Sequence, residues 1–495
     1  MNALNPKLPA LPLKRLLATL VLAAVTAAPA ATNIVLNAYD GGAGSLRQTI
    51  QDSLSGDTIN FDPGLSGAVI TLTNGHLLLT NNLTIDASAL PGGLQINGRH
   101  ASRIFQAATN TTVMLTALTI TNGYFSGVSP SYGGGILNSG TVITAQCTFT
   151  ANTTELGGGI ANFGTMTVNQ CTFLTNTARQ FGGGICNVGF MTLNQSILMG
   201  NSSSGDGAGG VYNFGKMTVN QSTLTANTTG SKGGGIYNVG NMTVNKSTLA
   251  RNTCGSGGGI FNYGIGLTNA TLTLNQCTLT GNSGGGILND GPLTVNQSTI
   301  TSNSWGFQGA GISQFQGSLS LFNSIVAGNS GSAPANMYIS SSTTFTNTGI
   351  NLTNGNPLLA PLGNYDGPTQ TMPPLPCSPA IDAATNSLFV TDQRGFPIPL
   401  GLAPDIGAVE GVYNPAGPGA LNNLTLLGDG SFRFAFTNFT DMAFTVMAST
   451  NASLPLKLWS NLGAAVETPV GSGQFRFTDP EATNTPQRFY RVRMP

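Results

Sequence analysis

The tetrapeptide Gly-Gly-Gly-Ile begins at Gly133, Gly157, Gly182, Gly233, Gly257 and Gly284, with degenerate copies ending at Val211 and Ile312. Counted on the closing residue, the series Ile136, Ile160, Ile185, Val211, Ile236, Ile260, Ile287 and Ile312 advances in steps of 24, 25, 26, 25, 24, 27 and 25 residues. Two positions after each stands Asn138, Asn162, Asn187, Asn213, Asn238, Asn262 or Asn289, and Gln314 closes the row. Each unit continues through an alternating stretch such as Met166-Thr167-Val168, then Asn169-Gln170, Cys171-Thr172-Phe173 and a final Asn176. A period of this length is the mark of a solenoid or an array.

Glycines at every junction leave no room for helices of ten or more residues, whereas short Thr/Val/Ile-rich runs of period two, bounded by Gly or Asn, read as strands. Three short strands per unit predict a parallel β-helix, which we expect to be right-handed, with successive coils about 4.8 Å apart. Less regular strands upstream (58–61, 68–72, 82–87, 93–97, 103–107 and 112–121) extend the rod toward its N-terminal end. Positions equivalent to Ile136, Val168 and Phe173 should point inward and stack along the axis. The Asn138, Asn162, Asn187, Asn213, Asn238, Asn262 and Asn289 row should form a structural amide ladder, with the asparagines in left-handed corner conformations.

Only 18 Lys+Arg and 18 Asp+Glu occur among 495 residues, 7% charged with net charge zero. Phosphate neutralisation needs clustered cations, so nucleic acid is not an expected partner. Hydrophobic residues at 40% oppose disorder, and the 67 glycines lack the every-third spacing of collagen. Lys7, Lys14 and Arg15 precede an apolar run from Leu16 to Ala28, and Ala28-Pro29-Ala30 carries small residues where a signal peptidase reads. That run is shorter than the ~20 residues of a membrane span. We expect cleavage after Ala30 and an exported mature chain without a transmembrane span.

The G-G-G-I and [FL]-x-x-N repeats (Phe149 to Asn152, Phe173 to Asn176, Leu224 to Asn227) resemble those of the polymorphic outer-membrane proteins, carried on secreted bacterial right-handed β-helices. Ser45-Leu46-Arg47-Gln48-Thr49-Ile50 and Gly56 to Phe61 look like the N-terminal segment of such proteins, without its usual Cys and Glu. Leu46, Ile50 and Leu54 recur at helical spacing, so a short amphipathic helix should cover the first coil. Ser378-Pro379-Ala380-Ile381-Asp382, Thr391 to Gly395 and Asp405 to Glu410 are similar to a choice-of-anchor Q region, which implies surface association and no reaction.

The expected organisation is therefore all-β. A signal peptide (1–30) and N-terminal cap segment (31–56) precede the parallel β-helix (57–345), and a C-terminal cap of choice-of-anchor Q type (346–410) follows it. A linker (411–421) then leads to a small β-sandwich module (422–495), read from the alternation of Phe432, Phe434 and Phe436 and of Phe475 and Phe477.

Chemistry has few residues to use. Between Ser131 and Ser330 the ionic side chains are Glu155, Arg179, Asp206, Lys216, Lys232, Lys246, Arg251 and Asp290. Glu155 and Asp206 share one phase two coils apart, about 10 Å at the coil spacing and marginal for an inverting pair of acids. They read as solubilising loop residues. His76 and His100, the two histidines, have no Ser or Cys partner pattern, and Gly205-x-Gly207-x-x-Gly210 lacks the helix a dinucleotide loop requires. Asp366, Asp382, Asp392, Arg394, Asp405 and Glu410 form the densest polar cluster. It suits either Ca²⁺ ligation or, as favoured here, a cap in which Arg394 pairs with Asp405 or Asp392.

Cys147 and Cys171 follow Gln in adjacent coils, within bridging range, so a disulfide is possible there. Otherwise the row of Cys147, Cys171, Ser196, Ser222, Ser247, Cys277, Ser298 and Ser324 is a buried row of small side chains. No catalytic residue, cofactor or metal is assigned. The functional expectation is a monomeric, exported, surface-associated structural or adhesive protein that takes polysaccharide or cell-surface glycans along its flat faces. The alternative is a polysaccharide lyase or glycoside hydrolase on the same scaffold.

Overall fold

The computed structural model describes residues 30–126, 129–264, 270–411, 421–437, 444–454, 458–470, 472, 474–484 and 487–493. The expected signal peptide and the interior of the linker lie outside them. The chain is a parallel β-solenoid. Sheet I stacks thirteen strands, sheets II and III eleven each, and sheet IV four. One coil shows the order: Ile160–Asn162 in sheet III, Thr165–Asn169 in sheet I, Thr172–Leu174 in sheet II and Thr177–Phe181 in sheet IV. Sheets I, II and III keep register from coil to coil, as in Met166 beside Met191 and Asn169 beside Asn194, whereas sheet IV slips between Thr154 and Leu156.

One continuous apolar core fills the lumen from Val35 to Val326. Its walls are the inward rows predicted from the period, including Phe149 stacked on Phe173 with centroids 4.6 Å apart. The junction glycines have two separate reasons. Gly157 adopts φ +70°, where a Cβ would strike the Ile160 carbonyl. Gly159 instead lies where a Cβ would sit 2.7 Å from the Gly184 carbonyl of the next coil.

The Asn138 row is fully buried, and Nδ2 of each residue donates to Oδ1 of the next: 2.7 Å from Asn138 to Asn162 and from Asn162 to Asn187, ending at Gln314 Oε1. These asparagines sit in strands, and the expected left-handed conformation falls elsewhere. It belongs to the corner between sheets I and II, at Gln146, Gln170, Gln195, Gln221, Lys246, Gln276 and Gln297. A second buried ladder runs through Asn152, Asn176, Asn201, Asn227, Asn252, Asn282, Asn303 and Asn329. Each of its rungs ties three coils: Asn227 Nδ2 donates to Asn252 Oδ1 and to the Leu198 carbonyl, both at 3.0 Å. Cys147 and Cys171 are free, buried thiols, and the Cys147 N–H donates to Cys171 Sγ at 3.4 Å. In the same row the Ser196, Ser222 and Ser298 hydroxyls accept from N–H groups of the preceding coil.

At the N-terminal end, helix α1 (Leu46–Asp52) is capped by Ser45, whose hydroxyl accepts from Gln48 N. Leu46 and Ile50 join the core, but Leu54 lies past the helix and is 62% exposed, so the apolar face is two residues and not three. Arg47 holds the helix to Asp40 (2.7 Å) and to the Gly75 and His76 carbonyls.

At the other end, the segment after the last coil does not simply close the axis. From Ile325, where Ala380, Ala384 and Ile406 pack, it runs back along sheet II. Thr299 Oγ1 accepts from Ala408 N, Thr278 Oγ1 donates to Gln393 Oε1 (2.7 Å), Thr248 Oγ1 donates to the Gln370 carbonyl (2.6 Å), and Lys246 Nζ reaches Thr391 Oγ1 (2.6 Å). This strap therefore covers the outer face of four coils. The C-terminal module is a six-stranded antiparallel sheet, in the order Asn422–Leu426, Phe432–Thr437, Gln474–Asp479, Ser460–Glu467, Phe444–Ser449 and Phe489–Arg493. It closes on Phe434, Phe436, Phe444, Val446 and Phe475.

Candidate functional site

In a strand of sheet III the first and third residues face the lumen, so the middle one faces outward. That outward row reads Ala161, Cys186, Tyr212, Tyr237, Phe261, Leu288, Ser313 and Tyr338. Its aromatic members touch in sequence. Phe181 of sheet IV stacks on Tyr212 at 4.5 Å, Tyr212 meets Tyr237 edge-on at 5.4 Å, Tyr237 meets Phe261 at 4.8 Å and Phe261 meets Tyr263 at 5.9 Å. Gly207 makes the approach possible, because a Cβ there would lie 2.6 Å from the Phe181 ring and 2.7 Å from that of Tyr237.

Charge gathers around this stripe. Lys232 Nζ lies 5.0 Å from the Phe261 ring centre, a cation–π contact. Burial pushes the Tyr237 hydroxyl up to about 12, with the negative charges of Asp206 and Asp290 acting the same way. Burial likewise raises Asp290, and the Lys232 charge opposes that rise. Of the acids singled out by phase, Asp206 is exposed beside this stripe. Glu155 is half-buried elsewhere in sheet IV, where its Oε2 accepts from Ser131 N at 2.7 Å. His76 is half-buried near Arg47 and Arg103, and burial depresses its pKa.

Farther along, strand Ser304–Gln308 stands up as a wall beside sheet III. Trp305 and Phe307 pair at 5.1 Å, Phe315 and Tyr338 at 5.6 Å, and the Trp305 Nε1–H donates to the Gly255 carbonyl at 3.0 Å, two coils back. Between wall and sheet lies a cleft of about 610 Å³, lined also by Ser256, Leu288, Gln308, Ser313 and Ser332.

The acidic cluster of the strap is occupied by the strap's own backbone. Asp392 Oδ1 accepts from Arg394, Gly395 and Phe396 N–H groups, and its Oδ2 pairs with Arg394 at 2.8 Å. Asp382 accepts from Leu402 and Ala403, and Glu410 from Asp405 and Leu400. Desolvation pushes Asp405 up to about 6 and Glu410 to about 7, against the pull of these hydrogen bonds. The second asparagine ladder and the aromatic stripe are what reading the residues missed. The ladder was signalled by the Asn that closes each repeat. The stripe's signal was the aromatic residue one place after Val211, Ile236 and Ile260 in three successive coils, a position that other coils fill with Ala, Cys, Leu or Ser.

No family model matches the chain, and no curated protein matches it. Among solved structures it is similar to the pectate lyase Pel9A, with 13% sequence identity and a TM-score of 0.41, over 77% of this chain and 96% of that one. Among the described residues no helix is long and apolar enough to cross a membrane.

Proposed function

We propose that this chain is an exported, surface-associated β-solenoid that binds polysaccharide along the outer face of sheet III, as a structural or adhesive protein and not a catalyst. The half-buried rings Phe181, Tyr212, Tyr237 and Tyr263, joined through the buried Phe261, carry the reading. Ring faces on a rigid sheet offer large contact area at low entropic cost, and tyrosine hydroxyls add polar handles for a hydroxyl-rich polymer. The resemblance of the repeats to polymorphic outer-membrane proteins, and of Ser378 to Glu410 to a choice-of-anchor Q region, supports the surface assignment. Co-sedimentation of the purified chain with insoluble polysaccharides tests the reading. Binding should be retained by the wild type and lost when Tyr212 and Tyr237 are both changed to Ala, and equal binding by the double variant overturns it.

A second reading, a carbohydrate-active enzyme, is favoured by one observation: Asp206, Lys232 and Asp290 cluster about Tyr237. Product release from acidic or neutral polysaccharides, abolished by Asp206→Asn or Lys232→Met and not by Glu155→Gln, would establish it.

A further inference from the structure

We infer that the cleft between the Ser304–Gln308 wall and sheet III is a separate subsite built for an uncharged pyranose oligosaccharide. The inference deepens the glycan-binding reading and rests on it. Four features converge on this ligand class.

The first is size, since about 610 Å³ falls within the range of small-molecule sites. The second is the lining, where Trp305 and Phe307 of the wall, Phe315 just after strand Ile312–Gln314 and Tyr338 of strand Met337–Ile339 face one space. Phe307 is 66% exposed, and Phe315, packed on Tyr338, is still 36% exposed. Third is preorganisation. Trp305 is held by its bond to the Gly255 carbonyl, and Gly285, with φ +96°, leaves open the space against which the indole lies. Gln308 is braced by its own Nε2–H donating to the Ala333 carbonyl at 2.9 Å.

The fourth feature is polarity without charge. None of the nine lining residues is ionisable near neutral pH, and the Ser256 and Tyr338 hydroxyls have no hydrogen-bond partner among the described residues. The Ser313 and Ser332 hydroxyls donate to the Gln308 and Gly306 carbonyls, which leaves their oxygens free to accept. A uronate or sulfated sugar entering here would lose water around its charge with no counter-ion among the lining residues. A neutral ring meets aromatic faces and uncommitted hydroxyls. The lining thus differs from the Tyr237 region, where two acids stand by and Lys232, bridged to Ser256 at the cleft's edge, packs on Phe261.

Trp305 is its own reporter once the other tryptophan is replaced, so the experiment uses the full chain carrying Trp459→Phe. Its fluorescence is titrated with neutral hexasaccharides (cellohexaose, xylohexaose, mannohexaose) and with hexagalacturonate. A saturable shift is expected with at least one neutral probe and none with hexagalacturonate. Phe307→Ala should weaken binding at least tenfold and Tyr338→Phe a fewfold, with unchanged melting temperature because both groups face solvent. Silence toward every neutral probe, or an equal response to hexagalacturonate, overturns the inference. Polymer co-sedimentation that still depends on Tyr212 and Tyr237 would then leave the broader reading standing, so the two failures are distinguishable.

Discussion

Sheets II and III are built mostly from three-residue strands in the same coils, yet their outer faces have different fates. On sheet II, Thr248, Thr278 and Thr299 are buried beneath the strap, while upstream Ile197 and Met199 remain 43% and 45% exposed. On sheet III no strap among the described residues crosses the aromatic row: Tyr212 and Tyr237 are half-buried, while Phe261, between them and Lys232, is buried. The difference lies in side-chain chemistry. Threonine rows present a regular ladder of hydroxyls that a polar segment of the same chain can satisfy, with Gln393 alone bonded to Thr248, Thr278 and Thr369. Rings of unequal size present a rough, half-buried surface that suits an external ligand. A parallel solenoid therefore separates what it covers from what it offers by the outward residue type of each sheet.

The most damaging way to break this contrast is to remove the floor shared by both faces. Asn227→Ala would take the side-chain partner from the Leu198 carbonyl and from the Asn201 backbone N–H in a dry interior, and should cost about 4 kcal/mol by the usual penalty for buried unpaired groups. The urea midpoint measures it, and both faces should lose protection together. Gln393→Ala removes three buried hydrogen bonds, for about 2–3 kcal/mol. Hydrogen exchange should then rise at residues 248–301 of sheet II and in the strap, with sheet III unchanged.

Acidity sharpens the comparison further. Burial raises Asp405 to about 6 and Glu410 to about 7, above their ordinary 3.8 and 4.5. Through that window the unfolded segment binds fewer protons than the folded one, so strap stability falls as pH rises from about 4 to about 7. Thermal melts between pH 5 and 8 should show the decline, and Glu410→Gln should flatten it. Asp40 at the other end has the opposite sign. Although desolvation works to raise it, hydrogen bonds from Thr73, Asn74 and Arg47 prevail and lower it, so its contribution is lost as acid protonates it below the ordinary carboxylate range. The smallest stability effect belongs to Tyr237→Ala, within about 1–2 kcal/mol for a half-exposed ring, although polymer binding should suffer most there.

The N-terminal helix and the first asparagine ladder were legible because each rests on local or strictly periodic spacing: Ser45 before Leu46 and Ile50, and an Asn two places after every coil junction. The left-handed corners were misplaced onto those asparagines. A fully paired amide row needs strand geometry, and the sharp bend fell to the Gln170-type position between two strands. Lys246 stands where most other coils carry Gln, and its partner Thr391 is 145 residues away, so no spacing rule could have joined them.

The sequence by itself determined the solenoid, since a 25-residue period of glycine, inward aliphatic and asparagine leaves few other ways to bury apolar rows and satisfy backbone groups. Only the tertiary structure decided which faces are covered and where a cleft opens. Outward positions are free of the packing constraint that makes inward ones repeat, and they acquire meaning only when distant coils, a returning strap and a raised wall bring them together.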